Sequence, residues 1–223
     1  MAHPDDLESG ASSAVARWTD QGKTVAYCLV TAGEAGIDSM DPEQCAERRK
    51  AEERESAAIV GVDQVDFLTY PDGLVEATVA LRRDMAAAIR RHRPEVVISL
   101  NFRATWDGGW LNHADHRATG LALLDSVRDA ANRWIFPGVG GPPWSGVRFG
   151  LFASSPQSTH GVDIGATLDR GIASLAAHRT YLEALDPDSS SRDPETLLRT
   201  MATDCGPRLG VVLATPFELV PLG

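Results

Sequence analysis

Short apolar runs and longer segments of helical periodicity alternate along the first half of the chain. Runs rich in Val, Ile, Leu and Phe, which are typical of buried strands, occur at residues 24–31, 65–68 and 95–100. Between them, segments 9–20, 41–60 and 76–91 are predicted to be helices, the second because Asp41 and Pro42 are typical of a helix start. This alternation predicts an α/β fold with a Rossmann-like, mostly parallel sheet flanked by helices.

The alternation continues in the second half, with a strand starting at Val147 and helices predicted at 115–133, 166–185 and 195–202. The segment 137–146, rich in Pro and Gly, is interpreted as a surface loop and not as a linker. Residues 1–223 are therefore predicted to form a single domain. Because ligands bind at the carboxyl ends of strands in such folds, a site is expected in loops that follow strands.

Charge and composition narrow the classes of function. The chain has 31 acidic and 21 basic residues, a formal net charge of -10, which argues against nucleic acid or an anionic membrane as a partner. No apolar run approaches the roughly 20 residues of a membrane span, and no signal-like segment is visible, so a cytoplasmic location is expected. The three cysteines form no CxxC pair, which leaves His and carboxylate side chains as candidate metal ligands.

The first candidate motif is AHPDD, which places His3, Asp5 and Asp6 immediately before a predicted helix. Pro4 restrains the backbone between the histidine and the carboxylates, and this restraint suits a preformed metal site. The segment is also compatible with a simple helix cap, because Asp is a common N-cap residue.

The second candidate motif is NHADH, which places His113, Asp115 and His116 after a predicted strand and its loop. Alone, it is equally compatible with a capped helix start. Together the two motifs supply His3, Asp6 and His116, the number of ligands found in catalytic zinc sites that keep one position open for water.

Several motifs together resemble the PIG-L or LmbE-like deacetylase family. AHPDD, RKAEERESAAIVGV, YPDG, NHADHRATG, LAAHRTYLEAL and PFELV match that family in order and spacing and cover most of the chain. The resemblance implies zinc-dependent removal of an N-acetyl group from a small molecule or glycoconjugate that contains N-acetylglucosamine. It also implies that His3, Asp6 and His116 bind zinc, that Asp5 is the general base and that His113 is the general acid.

Elementary chemistry suits these roles. A carboxylate beside the metal but not bound to it, as Asp5 would be, is suited to take a proton from the attacking water. A protonated imidazole such as His113 is suited to stabilise the oxyanion and to protonate the leaving amine, and Asp115 is expected to orient it. A site of two His and one Asp also leaves Fe2+ or another divalent ion open as the native metal.

Substrate contacts are less sharply defined by the sequence. The resemblance implies that Arg49 and Asp72 contact the substrate, although Arg48 competes with Arg49 and an ion-paired helix face explains either arginine equally well. Asp72 in YPDG is suited to bond sugar hydroxyls or simply to form the turn. Glu34, in a loop between two glycines, is a further candidate for lining the site.

Two aromatic side chains and one late histidine complete the candidates. Trp106 and Trp110 precede NHADH, with Gly108 and Gly109 between them, and either stack on a sugar ring or pack within their own loop. His178 lies at helical spacing from apolar neighbours and is interpreted as a core or edge residue.

Two features depart from the pattern of the family. Only Met1 and Ala2 precede His3, where members usually carry an apolar strand, so a less rigid metal site is expected. Leu111 stands where some members carry a tyrosine that polarises the carbonyl, which leaves oxyanion stabilisation to zinc and His113.

Three functions stay open on the sequence alone. The leading one is de-N-acetylation of an amidated sugar, and the second is the same chemistry on a larger acyl group or a thiol conjugate. The third is a non-enzymatic protein that binds a metal or ligand, which would not require Asp5, His113 and Asp115. The oligomeric state is also open, with a homo-oligomer among the expectations.

Overall fold

The computed structural model describes all 223 residues. None of its helices combines the length and the apolar character that crossing a membrane requires. Along the chain the elements are α1 (Asp6–Gly10), α2 (Ser12–Asp20), β1 (Ala26–Leu29), α3 (Pro42–Ile59), β2 (Gln64–Phe67), α4 (Val79–His92), β3 (Val96–Leu100), α5 (Ala114–Ala131), β4 (Phe149–Ala153), β5 (His160–Asp163), α6 (Leu168–Ala176), α7 (Arg179–Ala184), α8 (Pro194–Leu209) and β6 (Ala214–Pro221).

The chain divides into two compact units, each built from separate segments. The larger unit comprises Ala2–Gly73 and His160–Pro216. The smaller unit comprises Met1, Leu74–Thr159 and Phe217–Gly223, so β6 begins in one unit and ends in the other. That residues 1–223 form one domain stays a prediction.

In the larger unit, β1 and β2 pair in parallel, with Ala26 opposite Gln64 and Leu29 opposite Phe67. Parallel strands end at the same edge, so the loop after β1 lies beside the turn after β2. The same edge receives the start of the chain, because Thr31 donates to the Ala2 carbonyl from both its backbone nitrogen and its hydroxyl, each at 3.0 Å.

In the smaller unit, β3 pairs in parallel with β4, and β4 pairs antiparallel with the last part of β6. Helices α4 and α5 pack over a buried core. That core contains Ala86, Ile89, Val97, Val127, Ala130 and Val147. Strand β3 leads into the segment 101–113, which ends at the first residue of α5.

The predicted α/β fold is confirmed, with one departure in its sheets. Strands β1 and β2 form a sheet of their own, and β6 adds an antiparallel strand, so the strands do not make one large parallel sheet. Neither β5 nor β6 was predicted. Pro216 and Pro221 within β6 explain its omission, because proline cannot donate to a strand ladder.

Two helix boundaries also differ from the predictions for local reasons. Helix α4 begins at Val79 and not near Glu76, because the Thr78 hydroxyl accepts a hydrogen bond from the Leu81 nitrogen and caps the helix there. The predicted helix over 166–185 is two helices, α6 and α7, which are separated at Ala177 and His178.

Candidate functional site

The AHPDD segment is folded around the side chain of Asp6, the first residue of α1. Its Oδ2 accepts hydrogen bonds from the backbone nitrogens of Ala2 at 3.1 Å and His3 at 2.9 Å. The same oxygen lies 3.5 Å from His3 Nδ1. Both side chains are nearly buried, so one carboxylate fixes the backbone of the motif and stands beside its imidazole.

The other ring nitrogen of His3 faces Asp72, at a distance of 3.1 Å between Nε2 and Oδ1. Asp72 Oδ2 accepts from the Ala35 nitrogen at 2.9 Å, and the Asp72 nitrogen donates to Glu34 Oε1 at 2.8 Å. Burial raises the pKa of Asp72, but the hydrogen bond and charge of His3 outweigh it and lower the pKa below 3.8. The structure thus brings two of the predicted substrate contacts, Glu34 and Asp72, together with His3.

The Asp5 side chain contacts a different partner from that of its neighbour Asp6. It has a positive φ of 86°, which is uncommon for a residue other than glycine, and its Oδ2 lies 3.2 Å from Arg49 Nη2. Burial raises the pKa of Asp5 to about 6, although Arg49 opposes the shift, and the charge of Asp6 adds to it. A carboxyl group with such a pKa is suited to general-base chemistry near neutral pH.

The guanidinium group of Arg49 holds the AHPDD segment in place. The side chain is buried, with Nη2 donating to the Pro4 carbonyl at 2.6 Å and Nη1 donating to the Gly33 carbonyl at 2.9 Å. The guanidinium lies 4.3 Å from the centre of the Tyr181 ring. Arg48 is exposed, so Arg49 is the arginine of the competing pair that lies against AHPDD.

A fully buried cluster of ionisable side chains next to the AHPDD segment was not predicted from the sequence. His178 Nε2 lies 3.4 Å from Glu8 Oε2 and 3.7 Å from Glu53 Oε2, and Glu53 Oε2 accepts from the Asp5 nitrogen at 3.4 Å. Burial and the charge of Glu8 raise the pKa of Glu53 well above its ordinary value. Burial lowers the pKa of His178, but the nearby carboxylates of Glu8 and Asp5 together outweigh it and raise that pKa. The available signal was Glu8, an acidic residue on the buried side of α1.

In the smaller unit, NHADH forms the start of α5. His113 is the N-cap residue, and its Nδ1 accepts a hydrogen bond from the Asp115 nitrogen at 3.2 Å. The Asp115 carboxylate is fully buried, accepts from the Val75 nitrogen at 3.2 Å and lies 3.9 Å from His113 Nδ1. The backbone of Asp115 therefore orients His113, while its carboxylate supplies negative charge nearby.

His116 follows one turn later and contacts the side chain of Asn112. Its Nδ1 lies 3.0 Å from Asn112 Oδ1. The His116 ring stands 5.3 Å from the ring of His113 and, edge to face, 5.7 Å from Trp106, measured between centroids. The NHADH motif thus places two imidazoles and an indole together.

Trp110 and Leu111 project from the loop before this motif. They are 78% and 73% exposed, so the Trp110 ring does not pack within its own loop. Gly108 and Gly109, both with positive φ, form the tight turn that presents the indole. The structure therefore favours the rim interpretation for Trp110, whereas Trp106 packs against His116.

The donor chemistry of the candidate ligands fits zinc. Two imidazoles and one carboxylate are typical ligands of a catalytic zinc ion. The 3.5 Å between His3 Nδ1 and Asp6 Oδ2 is close to the about 3.4 Å that separates two ligands around a tetrahedral ion with bonds of roughly 2.0–2.1 Å. The spacing of these two atoms is therefore compatible with both binding one ion.

Comparison with known proteins gives a consistent result. Residues 1–127 match the PIG-L family, described as GlcNAc-PI de-N-acetylase. Diacetylchitobiose deacetylase of Thermococcus kodakarensis is 30% identical over 98% of this chain and 80% of its own length. The 1D-myo-inositol 2-acetamido-2-deoxy-alpha-D-glucopyranoside deacetylase 2 of Saccharopolyspora erythraea is 27% identical over 84% of this chain and 82% of its own length.

The fold agrees with that of a solved relative. The structure of N,N'-diacetylchitobiose deacetylase from Pyrococcus horikoshii, complexed with its inhibitor MPG, superposes with a TM-score of 0.86 and 26% sequence identity. The match covers 98% of this chain and 81% of that one.

Proposed function

We propose that this chain, which belongs to the PIG-L family of deacetylases, removes an N-acetyl group from a small molecule containing N-acetylglucosamine. The reaction would use a bound divalent metal. That it is a hydrolase of amide bonds follows from the family and from relatives that are named deacetylases. The substrate, the metal and the roles of the residues are the proposal.

The observation that supports the proposal most strongly is that two adjacent aspartates have different environments. Asp6 stands beside His3, whereas Asp5 faces Arg49 and has a pKa near 6. In a metal-dependent hydrolase one carboxylate can bind the ion while another accepts a proton from water. Neighbouring residues with these two environments supply both.

His3, Asp6 and His116 would hold zinc, or Fe2+ or another divalent ion in its place. When bound, the ion would supply Lewis-acid chemistry, which lowers the pKa of a water molecule to about 7 and offsets negative charge on the amide oxygen. The chain's own residues then handle the protons. Asp5, held by Arg49, takes a proton from the attacking water.

His113 completes the reaction by protonating the amine as it leaves. Its imidazolium form also stabilises the oxyanion, which matters because Leu111 has no hydroxyl to offer. The buried Asp115 carboxylate lies 3.9 Å from His113 Nδ1 and places a negative charge beside the ring. The products are acetate and a free primary amine.

The substrate class rests on the relatives and on the exposed rim. The names of the relatives describe deacetylation of diacetylchitobiose and of an inositol-linked 2-acetamido sugar. Trp110 offers an indole face for a sugar ring. Arg49 and Asp72 are buried against the AHPDD loop, and we assign them first to holding that loop and only second to contacting the sugar.

A screen with primary-amine detection tests the function. Diacetylchitobiose, inositol-linked N-acetylglucosamine and amides with longer acyl chains are incubated with the zinc-loaded and the chelator-treated protein. Metal-dependent release of amine from the acetylated sugars supports the proposal. Release only from the amides with longer acyl chains favours the second function, and no release with zinc still bound favours a binding protein. The predicted cytoplasmic location and homo-oligomeric state stay predictions.

A further inference from the structure

Each candidate metal-binding histidine has a side-chain acceptor within 3.1 Å of one ring nitrogen, and that nitrogen differs between the two. For His3 it is Nε2, which lies 3.1 Å from Asp72 Oδ1. An ionised carboxylate only accepts hydrogen bonds, so the ring must donate from Nε2. The lone pair of the neutral ring is then at Nδ1, the nitrogen that lies 3.5 Å from Asp6 Oδ2.

Asp72 is itself held in place by backbone contacts. Its Oδ2 accepts from the Ala35 nitrogen at 2.9 Å, and its own nitrogen donates to Glu34 Oε1 at 2.8 Å. The Asp72 side chain is 7% exposed. Because its second oxygen is engaged by Ala35, the first is directed at His3 and not at solvent.

For His116 the contacting nitrogen is Nδ1, 3.0 Å from the side-chain oxygen of Asn112. The orientation of this amide is fixed independently of the histidine. Its Nδ2 donates to the carbonyls of Asn101 at 2.7 Å and Arg103 at 3.0 Å, so its oxygen must be the atom that faces His116. An amide oxygen accepts, so the ring donates from Nδ1 and its lone pair is at Nε2.

We propose that Asp72 and Asn112 are positioning residues that hold His3 and His116 in opposite tautomers, so that His3 offers Nδ1 and His116 offers Nε2 to the metal. The inference rests on the proposed function, since it assumes that both rings bind one ion. It assigns Asp72 a role that the resemblance to the family did not imply. Partners of this kind typically change metal affinity by about 10–100-fold when they are removed.

Substitution of Asp72 by its amide, Asn, should change the tautomer of His3. In Asp72→Asn, the oxygen is still needed by the Ala35 nitrogen, so the amide NH2 faces His3 and disfavours a proton on Nε2. The neutral His3 ring should then shift its proton to Nδ1, the atom required for the metal. Asn112→Ala removes the acceptor of His116, which should populate both tautomers of that ring.

Long-range proton–nitrogen NMR spectra of protein labelled with 15N-histidine test the proposal. In the zinc-loaded protein we expect the ring proton of His3 on Nε2 and that of His116 on Nδ1. The neutral rings of the metal-free protein should show the same two tautomers. Asp72→Asn and Asn112→Ala should change them and weaken zinc binding about 10–100-fold, whereas the exposed controls Asp38→Asn and Asn132→Ala should leave both quantities unchanged.

Either of two results would overturn the inference: the same tautomer for both histidines in the wild-type protein, or tautomers and zinc affinity that do not change in the two variants. Failure of the proposed function looks different. A protein that binds no divalent metal contradicts the function, and the metal-free spectra still decide the tautomers.

Discussion

Arg49 holds Asp5 and the backbone that precedes it with a single nitrogen, since Nη2 lies 3.2 Å from Asp5 Oδ2 and donates to the Pro4 carbonyl at 2.6 Å. This relationship connects a helix of the larger unit to the carboxylate that we propose as the general base. It gives Arg49 an orienting role, which kinetics distinguish from a direct contact with substrate.

Arg49→Lys tests this role. Lysine is a point donor and cannot serve Pro4, Gly33 and Asp5 together, so Asp5 should lose its orientation. We expect kcat to fall about 10–100-fold with KM little changed, because a misplaced catalytic group costs rate more than binding. Arg48→Lys, at the exposed neighbour, should behave as wild type. A rise in KM with kcat preserved would show instead that Arg49 binds substrate.

Two glycines with left-handed backbones provide a second test of the clamp. A Cβ at Gly33, where φ is 66°, would stand 2.1 Å from Arg49 Nη1, whereas a Cβ at Gly73, where φ is 79°, meets nothing within 4 Å. Both alanine variants should lose about 1–2 kcal/mol of stability from backbone strain. Only Gly33→Ala should also lose activity, as measured by urea unfolding and steady-state rates. Equal activity in the two variants would contradict the clamp.

The raised pKa of Asp5 predicts a pH-dependent effect of Asp5→Asn on stability. In the metal-free protein the folded-state pKa of about 6 exceeds the ordinary 3.8, so the stability that Asp5 contributes is fully present below pH 3.8 and is lost as pH rises through 6. The Asn side chain cannot ionise, so the variant loses no stability over this interval. The stability of Asp5→Asn relative to wild type should therefore increase between about pH 4 and 7, by on the order of a few kcal/mol. Urea unfolding across this range measures the difference, and a gain that is constant with pH would contradict the burial of the ionised group.

The exposed indole of Trp110 predicts an effect on KM. Trp110→Ala should raise KM for an N-acetylated sugar several-fold, because it removes an aromatic face while leaving the buried groups in place. Trp134 is 80% exposed and lies far along the chain from NHADH, so Trp134→Ala is a matched control that should leave KM unchanged. The same KM for both variants and wild type would remove Trp110 from the substrate site.

The sequence predicted the fold class and the class of enzyme better than it predicted the contacts between side chains. Alternating periods identified β1 to β4 and their helices, and a turn motif identified Asp72. What it missed depends on residues distant in sequence. The partnership of Asp72 with His3 spans 69 positions in the numbering and arises only because β1 and β2 end at the same edge. The cluster of Glu8, Glu53 and His178 was missed because burial of charge leaves no periodic trace.

Substrate specificity and tautomers were also beyond reach of the sequence. The motif NHADH predicts that Asn112 precedes a histidine, but not that its amide is fixed by the carbonyls of Asn101 and Arg103. That orientation depends on the path of the loop after β3. Local chemistry names the donors, and tertiary structure decides which atoms they present.

The zinc content of Asp5→Asn, measured together with its rate of hydrolysis, tests the central claim most directly. We expect about one zinc per chain, as in wild type, with deacetylation abolished, because the proposed role of Asp5 is to move a proton and not to bind the ion. His116→Ala should lose the metal in the same assay, and His113→Ala should keep it. Loss of zinc from Asp5→Asn would make Asp5 a ligand and contradict the division of the two aspartates.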